Sequence, residues 1–323
     1  EADRFLGEVH FLRAYIHFNL LTLFGEVPYI KSSDYRLNSQ AERMETVVVY
    51  QEIIEDLLLA KNLIPASYTN PERFRPDHWT VRLFLSRVYL QKQEWEAAAS
   101  ESSLVIANSD YTLNTDLGTV FLKDSPETLW QLDSGIPGRN TREGATFVIL
   151  NTPPSNSALS SYLLDSFEVG DARFVNWVGQ ISDETATWFF SNKYQENLPT
   201  ATTLECSILF RLAEAYLIAA EAQAQIGELD NSLKNLNLIR ERANLPLVET
   251  MDKNSLLESI YKEKRIEFFS EQGHRFLDLK RTGTIDEVLL PIKAQWDITD
   301  KVLPLPESEL VLNPKLLPQN DGY

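Results

Sequence analysis

The chain has 323 residues, with 30 lysines and arginines against 47 aspartates and glutamates, which gives a formal net charge of −17. This balance argues against a nucleic-acid or anionic-lipid partner, because both require a basic face, and the densest basic stretch, residues 262–265, is interrupted by Glu263. The 43% hydrophobic content excludes wholesale disorder, and the single cysteine, Cys206, excludes a disulfide framework. No uncharged apolar run is long enough to predict a membrane span.

Residues 1–108 are predicted to form helical pairs. Apolar residues recur at three- and four-residue steps over residues 3–24, which is typical of an amphipathic helix, and Gly25 and Pro28 are expected to end it. Further helices are predicted over residues 46–64, after Asp77 as an N-cap, and over residues 95–108. The apolar face of the first helix is assigned to Phe5, Leu6, Val9, Leu12, Ile16, Leu20 and Leu23.

Residues 203–323 repeat this pattern. The sequence predicts one alanine-rich helix over residues 205–226, a second over 230–243, and a third over 255–269 that extends towards Lys280. Residues 81–106 align with residues 215–240 as helix, tight turn, helix, with small residues where the helices cross. This indicates tetratricopeptide-like helix pairs, although any two amphipathic hairpins align to some degree.

The middle segment, residues 109–202, has a different character. It is interrupted by prolines and glycines, shows no long helical period, and contains strand-like runs at Thr128–Leu132 and at residues 145–150. An irregular segment of this length is uncommon in a compact protein unless it has a function. We therefore expect the ligand-binding region here, between an N-terminal scaffold (1–108) and a C-terminal scaffold (203–323).

The sequence contains few motifs of catalytic chemistry. The sequence has no glycine-rich phosphate loop, nucleophile elbow or CxxC pair, and His10 and His17 lack the partners of a helical metal set. Carboxylates are too numerous for any pair to indicate a glycosidase, although a weakly supported hydrolase remains an alternative. We expect no enzyme activity, no cofactor and no metal, and an inert, buried Cys206 thiol.

Charged residues on the C-terminal helices are predicted to be structural. Arg211, Glu214 and Glu221 form one polar stripe on the alanine-rich helix, and the helix carrying Arg265 has a complementary mixture of charges. Charged groups this close to a core must be paired. We therefore predict inter-helix ion pairs and hydrogen bonds that fix helix register.

Four segments of the sequence carry distinctive motifs in a fixed order. They are residues 11–15 (FLRAY) with 18–20 and 23–28, residues 210–222 (FRLAEAYLIAAEA), residues 263–268 with 273–281, and residues 303–310 with 313–314 and 319–323. Together these segments resemble the signatures of the SusD/RagB family. Three departures stand beside the match: Lys264 occupies a position where the family often has arginine, Gln272 resembles an insertion, and the chain begins close to the first signature.

The resemblance implies a mostly all-α fold. Tetratricopeptide-type helix pairs would form a right-handed superhelical scaffold that supports an irregular ligand-binding region with short strands. Family members are lipoproteins on the outer face of the outer membrane of Bacteroidota, where they bind oligosaccharides, or in some cases peptides, and act as lids over a SusC-like TonB-dependent transporter. The resemblance further implies that a lipidated N-terminus and the first helices precede Glu1.

The resemblance does not identify which residues of this sequence contact the ligand. The candidate ligand-binding residues are therefore chosen by residue type and by location in the sequence. Trp177 and Trp188 are predicted to stack on sugar rings, with Arg173 and Asn176 holding hydroxyls, unless these indoles pack loops onto the scaffold. Tyr29 and Tyr35 follow the first signature, and Trp296 precedes the last. The leading hypothesis is glycan capture for a transporter; peptide import or a tetratricopeptide-type adaptor is the alternative.

Overall fold

The computed structural model describes residues 1–155 and 157–323. The chain forms two compact units, one made of Glu1–Pro65 and Arg275–Tyr323 and the other of Ala66–His274. These units differ from the predicted division at residues 108 and 202, because the C-terminal residues belong to the same unit as the N-terminal helices.

The described part of the chain is mainly helical, in agreement with the predicted fold class. The strands are β1 (Thr128–Leu132), β2 (Val178–Ser182), β3 (Thr187–Ser191) and β4 (Ser207–Arg211). The helices are α1 (Ala2–Phe24), α2 (Tyr35–Asn38), α3 (Thr46–Leu63), α4 (His78–Gln91), α5 (Trp95–Ile106), α6 (Arg142–Phe147), α7 (Ser161–Leu164), α8 (Ala172–Trp177), α9 (Leu212–Ile226), α10 (Leu229–Arg242), α11 (Lys253–Glu267), α12 (His274–Arg281), α13 (Ile285–Leu289) and α14 (Glu307–Leu312). Three short 3₁₀ turns lie at Leu117–Thr119, Ile298–Lys301 and Pro314–Leu316.

Helix α1 packs on α3 through a face that the sequence pattern did not select. The seven residues of the predicted apolar face are each 36–58% exposed, whereas Phe11, Ala14 and Phe18 on the other face are buried. Gly7 allows the approach, since a Cβ there would lie 2.8 Å from Cγ1 of Ile64. The helix itself is confirmed, but its predicted apolar face is not the face that α1 buries.

The predicted internal repeat coincides with two helix pairs of the second unit. A shift of 134 residues places the start of α4 on that of α9 and the start of α5 on that of α10. The turns also match: the Glu94 amide donates to the Tyr89 carbonyl at 2.9 Å, and the Glu228 amide donates to the Gln223 carbonyl at 2.8 Å. Gln93 and Gly227 occupy the same turn position, with φ of 61° and 87°.

Three predicted elements need correction. Residues 207–211 form strand β4, which pairs antiparallel with the correctly predicted β1, so α9 begins only at Leu212. Residues 145–150 are not a strand, because the Thr141 hydroxyl caps helix α6 by accepting the Gly144 amide at 3.0 Å. Helix α11 ends at Glu267 instead of running on, and the intervening residues include Gly273 with φ of 71°.

Candidate ligand-binding site

The interior of the second unit contains a network of buried charges around Glu267. Arg211 Nη1 donates to Glu267 Oε1 at 2.6 Å and to Glu127 Oε1 at 3.1 Å, and Arg242 also donates to Glu267. Burial alone would raise the pKa of Glu267, but Arg242, Arg211 and Arg173 outweigh it and hold the pKa well below its ordinary value. This network joins β4, α10 and α11, so its residues serve the scaffold.

Arg173 belongs to the same network and does not face a ligand. Its side chain is only 1% exposed, donates to the Asp171 carboxylate at 2.9 and 3.0 Å, and donates to Glu267 Oε2 at 3.0 Å. The predicted role in binding sugar hydroxyls is therefore wrong for Arg173, because its guanidinium is shielded and paired. Asn176, which is half-buried, donates to the Ala172 carbonyl within α8 at 2.8 Å.

Trp177 is a core residue and not an open stacking platform. The indole is 1% exposed, its Nε1 donates to the Leu117 carbonyl at 2.9 Å, and its ring meets Phe121 edge to face at 5.5 Å. Lys193 Nζ lies 4.7 Å from the indole centroid. The sequence analysis gave the alternative that this tryptophan packs a loop onto the scaffold, and the buried position of Trp177 fits that alternative.

The charged residues predicted to pair between helices lie in two different environments. Arg87 donates to Glu214 at 2.5 and 2.7 Å, and Lys264 Nζ donates to Glu221 at 3.0 Å, all within the buried interior. Arg265 is only half-buried and donates to the backbone carbonyl of Tyr162 at 2.5 Å. The predicted inter-helix pairing thus fits Arg211, Glu214 and Glu221, whereas Arg265 lies apart from the buried carboxylates.

Trp188 is the predicted platform that keeps an accessible position. It is half-buried on β3, opposite Ile181 of β2. Gly179 makes room for the Phe190 ring, because a Cβ there would lie 2.3 Å from Phe190 Cε2. The exposed hydroxyls of Ser182 and Thr187 lie 2.8 Å apart at the end of the same hairpin. Because successive strand residues point to opposite faces, Trp188 and Ile181 share one face of the hairpin, and Ser182 and Thr187 share the other.

The first unit contains the remaining predicted aromatics. Tyr29 is 8% exposed and donates its hydroxyl to Asp56 Oδ2 at 2.5 Å, and burial, followed by that carboxylate, raises its pKa; it is not open to a ligand. Tyr35 is 77% exposed and lines a mostly apolar cavity of about 610 Å³. Trp296 is half-buried and donates through Nε1 to Asp286 at 3.1 Å.

A second concave site, which we call the α11 pit, was not predicted. It has a volume of about 550 Å³ and lies between residues 165–168 and the face of α11 that carries Ser259, Lys262 and Ile266, with Arg265 also on its wall. The floor is built from the buried, paired charges of the interior network. Sequence reasoning missed the pit because its walls come from segments about ninety residues apart; the sole signal was the local cluster of basic residues at 262–265.

Two family descriptions match separate segments of the chain. Residues 178–323 match the family described as the SusD family, and residues 1–90 match the family described as "Starch-binding associating with outer membrane". A SusD-like protein of Formosa agariphila is 28% identical, over 98% of this chain and 74% of its own length.

Solved structures agree with these matches. A laminarin-binding SusD-like protein has a TM-score of 0.84 at 24% identity, covering 99% of this chain and 79% of that protein. Surface glycan-binding protein A from Bacteroides fluxus has a TM-score of 0.81 at 22% identity, covering 99% and 78%. Among residues 1–155 and 157–323, no helix is both long and apolar enough to cross a bilayer. The chain belongs to the SusD/RagB family.

Proposed function

We propose that this protein captures oligosaccharides at the cell surface and hands them to a SusC-like, TonB-dependent transporter in the outer membrane. Family membership supports this, as does the description of the family that matches residues 1–90. Two proteins of the same fold are described as binding laminarin or surface glycans. In this proposal a lipid anchor outside the described chain holds the protein on the outer leaflet, and the protein binds its ligand without catalysis.

The observation that carries the proposal is the position of Trp188. An indole offers a flat apolar face together with a polar N–H, and the axial C–H groups of a sugar ring form a matching apolar face. On the β2–β3 hairpin, Trp188 lies one residue from Thr187 and opposite Ile181. The paired strands hold the indole in place before the ligand arrives, which reduces the entropy lost on binding.

The exposed polar groups of the hairpin lie on its other face. Gln180, Ser182 and Thr187 are exposed, but successive strand residues point to opposite faces, so these three do not share the face of Trp188. A glycan stacked on Trp188 reaches them around the edge of the hairpin, where each can exchange a hydrogen bond with water for one with a sugar hydroxyl. Such exchanges contribute only about 0.5–1.5 kcal/mol each. Stacking on one indole with a few exchanged hydrogen bonds predicts modest affinity and rapid release, as delivery to a transporter requires.

The experiment is a binding screen against immobilised oligosaccharides and short peptides, with bound sugars checked for cleavage. We expect retention of an intact glycan by the unaltered protein and its loss in Trp188→Ala. Trp95→Ala is the matched control, because Trp95 is also half-buried and lies on α5, away from the hairpin. Equal glycan binding by the Trp188 variant and the unaltered protein would remove the hairpin from the site, and cleavage of the sugar would contradict a binding-only role.

A peptide ligand is the second candidate, and it is favoured by the cavity of the first unit. This cavity of about 610 Å³ is lined mainly by apolar residues, including Leu20, Phe24 and Leu312, with Tyr35 and Asn38 at its wall. A mostly apolar concave surface suits an extended peptide with hydrophobic side chains. Retention of peptides alone, sensitive to Tyr35→Ala and indifferent to Trp188→Ala, would favour this function over glycan capture.

A further inference from the structure

The α11 pit differs from the buried network beneath it in how its charges are paired. Arg173 on its floor is paired with Asp171 and Glu267, and Arg240 is paired with Glu168 at 2.7 Å and Glu263 at 3.0 Å. These cations are neutralised by carboxylates of the protein itself. They leave no net attraction for a charged ligand.

Lys262 and Arg265 on the wall of the pit are not neutralised in this way. Within residues 1–155 and 157–323, neither side chain lies within ion-pair distance of a carboxylate. Both side chains lie on α11 three residues apart, so they project from neighbouring turns of the helix. Both cations therefore keep charge available to a ligand, although Lys262 also attracts the Glu168 carboxylate, which is paired with Arg240, at longer range.

Arg265 also bears a desolvation cost that is not compensated. Burial lowers the pKa of its guanidinium, and no neighbouring carboxylate offsets the effect. The single acceptor described for it, the Tyr162 carbonyl at 2.5 Å, engages Nη2. The other N–H groups of the guanidinium remain for a ligand, and two parallel donors of an arginine recognise both carboxylates and tetrahedral oxyanions such as phosphate.

The rest of the pit suits the ring of a sugar. Ser166 and Ser259 donate their hydroxyls to backbone carbonyls at 2.8 and 2.9 Å, which leaves their oxygens free to accept. Asp165 is exposed at the rim. Phe167 forms an apolar wall, held edge to face by Phe174 at 5.3 Å. The volume of about 550 Å³ lies within the usual range for small-molecule sites.

We propose that the α11 pit binds a saccharide unit bearing an anionic substituent, a sulfate or a carboxylate, through Arg265 and Lys262. Arg265 contacts the anion with two N–H groups, Lys262 adds a second positive charge, and Asp165 with the two serines accepts hydrogen bonds from ring hydroxyls. This inference rests on the proposed glycan capture and specifies the class of glycan.

The formal net charge of −17 repels an anionic glycan at long range. Long-range repulsion acts on the encounter rate, but at physiological ionic strength it is screened beyond about 8 Å. Contacts within the pit are shorter than that distance. The local pair of cations therefore decides the affinity for one anionic unit, while the net charge of the chain decides only how fast the ligand arrives.

The test compares an anionic oligosaccharide with its neutral counterpart, prepared by desulfation or carboxyl reduction, using isothermal titration calorimetry. The unaltered protein should bind the anionic form about tenfold or more tightly. Arg265→Gln and Lys262→Gln should each reduce the preference, and the double variant should abolish it. Lys234→Gln is the matched control, since Lys234 is an exposed lysine of α10 outside the pit. Titrating sulfated oligosaccharides and carboxylated oligosaccharides separately shows which of the two substituents the pit prefers.

The outcomes separate this inference from the proposed function. Equal binding of the charged and neutral forms, lost in Trp188→Ala, would overturn the anionic site while leaving glycan capture standing. A preference for the anionic form that survives in the double variant would also overturn it. Binding of no glycan at all would overturn the proposed function and the inference together. Because Lys262 is exposed, Lys262→Gln retains the fold and keeps the test valid if the Arg265 variant fails to fold.

Discussion

Trp177→Ala distinguishes a core tryptophan from a ligand platform. The side chain is 1% exposed, so truncation removes an almost fully buried indole and leaves a cavity against Phe121 and Lys193. Such Trp→Ala changes cost about 3–5 kcal/mol, and the Leu117 carbonyl loses its donor, which adds about 1 kcal/mol. We expect the free energy of unfolding to fall by about 4–6 kcal/mol.

The assay is urea unfolding followed by tryptophan fluorescence and circular dichroism. In thermal unfolding of a unit of this size, the expected loss lowers Tm by about 8–24 °C, at roughly 2–4 °C per kcal/mol. Trp177→Phe keeps a ring against Phe121 but loses the N–H donor, so it should lie between the Ala variant and the unaltered protein.

Trp188→Ala should lose glycan binding more than stability, which is the opposite of Trp177→Ala. The half-buried indole of Trp188 contributes less to folding and more to binding. We expect a stability loss below about 2 kcal/mol together with a loss of glycan retention. A Trp177→Ala protein with near-normal stability and lost glycan binding would refute the placement of Trp177 in the core and restore it as a platform.

Three further predictions concern stability. Glu267→Gln should cost about 3–5 kcal/mol, because it removes the buried carboxylate that Arg173, Arg211 and Arg242 share. The folded pKa of Glu267 lies well below 4.5, so its contribution is present above that pH and lost as pH falls, and the variant's stability should depend less on pH below about 4.5. Gln93→Gly should stabilise the protein by about 1 kcal/mol, because the non-glycine residue holds φ of 61° where the repeat has Gly227. Gly179→Val should destabilise the β2–β3 hairpin by about 1–3 kcal/mol, because it displaces the Phe190 ring.

Each of these predictions has a matched control in urea unfolding. Glu258→Gln removes an exposed carboxylate from the same helix as Glu267 and should leave the pH dependence intact; an unchanged acid transition in the Glu267 variant would contradict the linkage. Lys92→Gly, at φ of −82°, should destabilise the turn that Gln93→Gly stabilises. Thr187→Val, on the exposed end of the same hairpin as Gly179, should be near neutral, and a neutral Gly179→Val would contradict the predicted clash.

Local patterns in the sequence predicted much of the secondary structure. Gly25, Gly227 and the Asp77 cap mark real helix ends, since these signals act through the backbone of a few adjacent residues. The internal repeat could also be detected in the sequence, because its two copies have the same helix spacing and the same turn position. Residues 207–211 were misread as helix because a short apolar run fits a strand equally well, and β1 supplies the pairing that decides between them.

Local sequence patterns could not predict which side chains are buried. Helix α1 has apolar residues at helical spacing on both of its faces, so periodicity predicts the helix but not the face that meets α3; Gly7 and Ala14 permit the close approach on one side. Trp177 and Trp188 are eleven residues apart in similar sequence, yet one packs on Phe121 and the other stays accessible.

The sequence by itself determined the family resemblance, the helix pairs and the residue types suited to a glycan. The tertiary structure alone decided which candidates a ligand can reach. Arg173 is neutralised by Glu263 and Glu267, about ninety residues further along the chain, whereas Arg265 is left with a carbonyl partner on the wall of a pit. Accessibility and charge pairing are set by contacts between distant segments, and such contacts leave no periodic signal in the sequence.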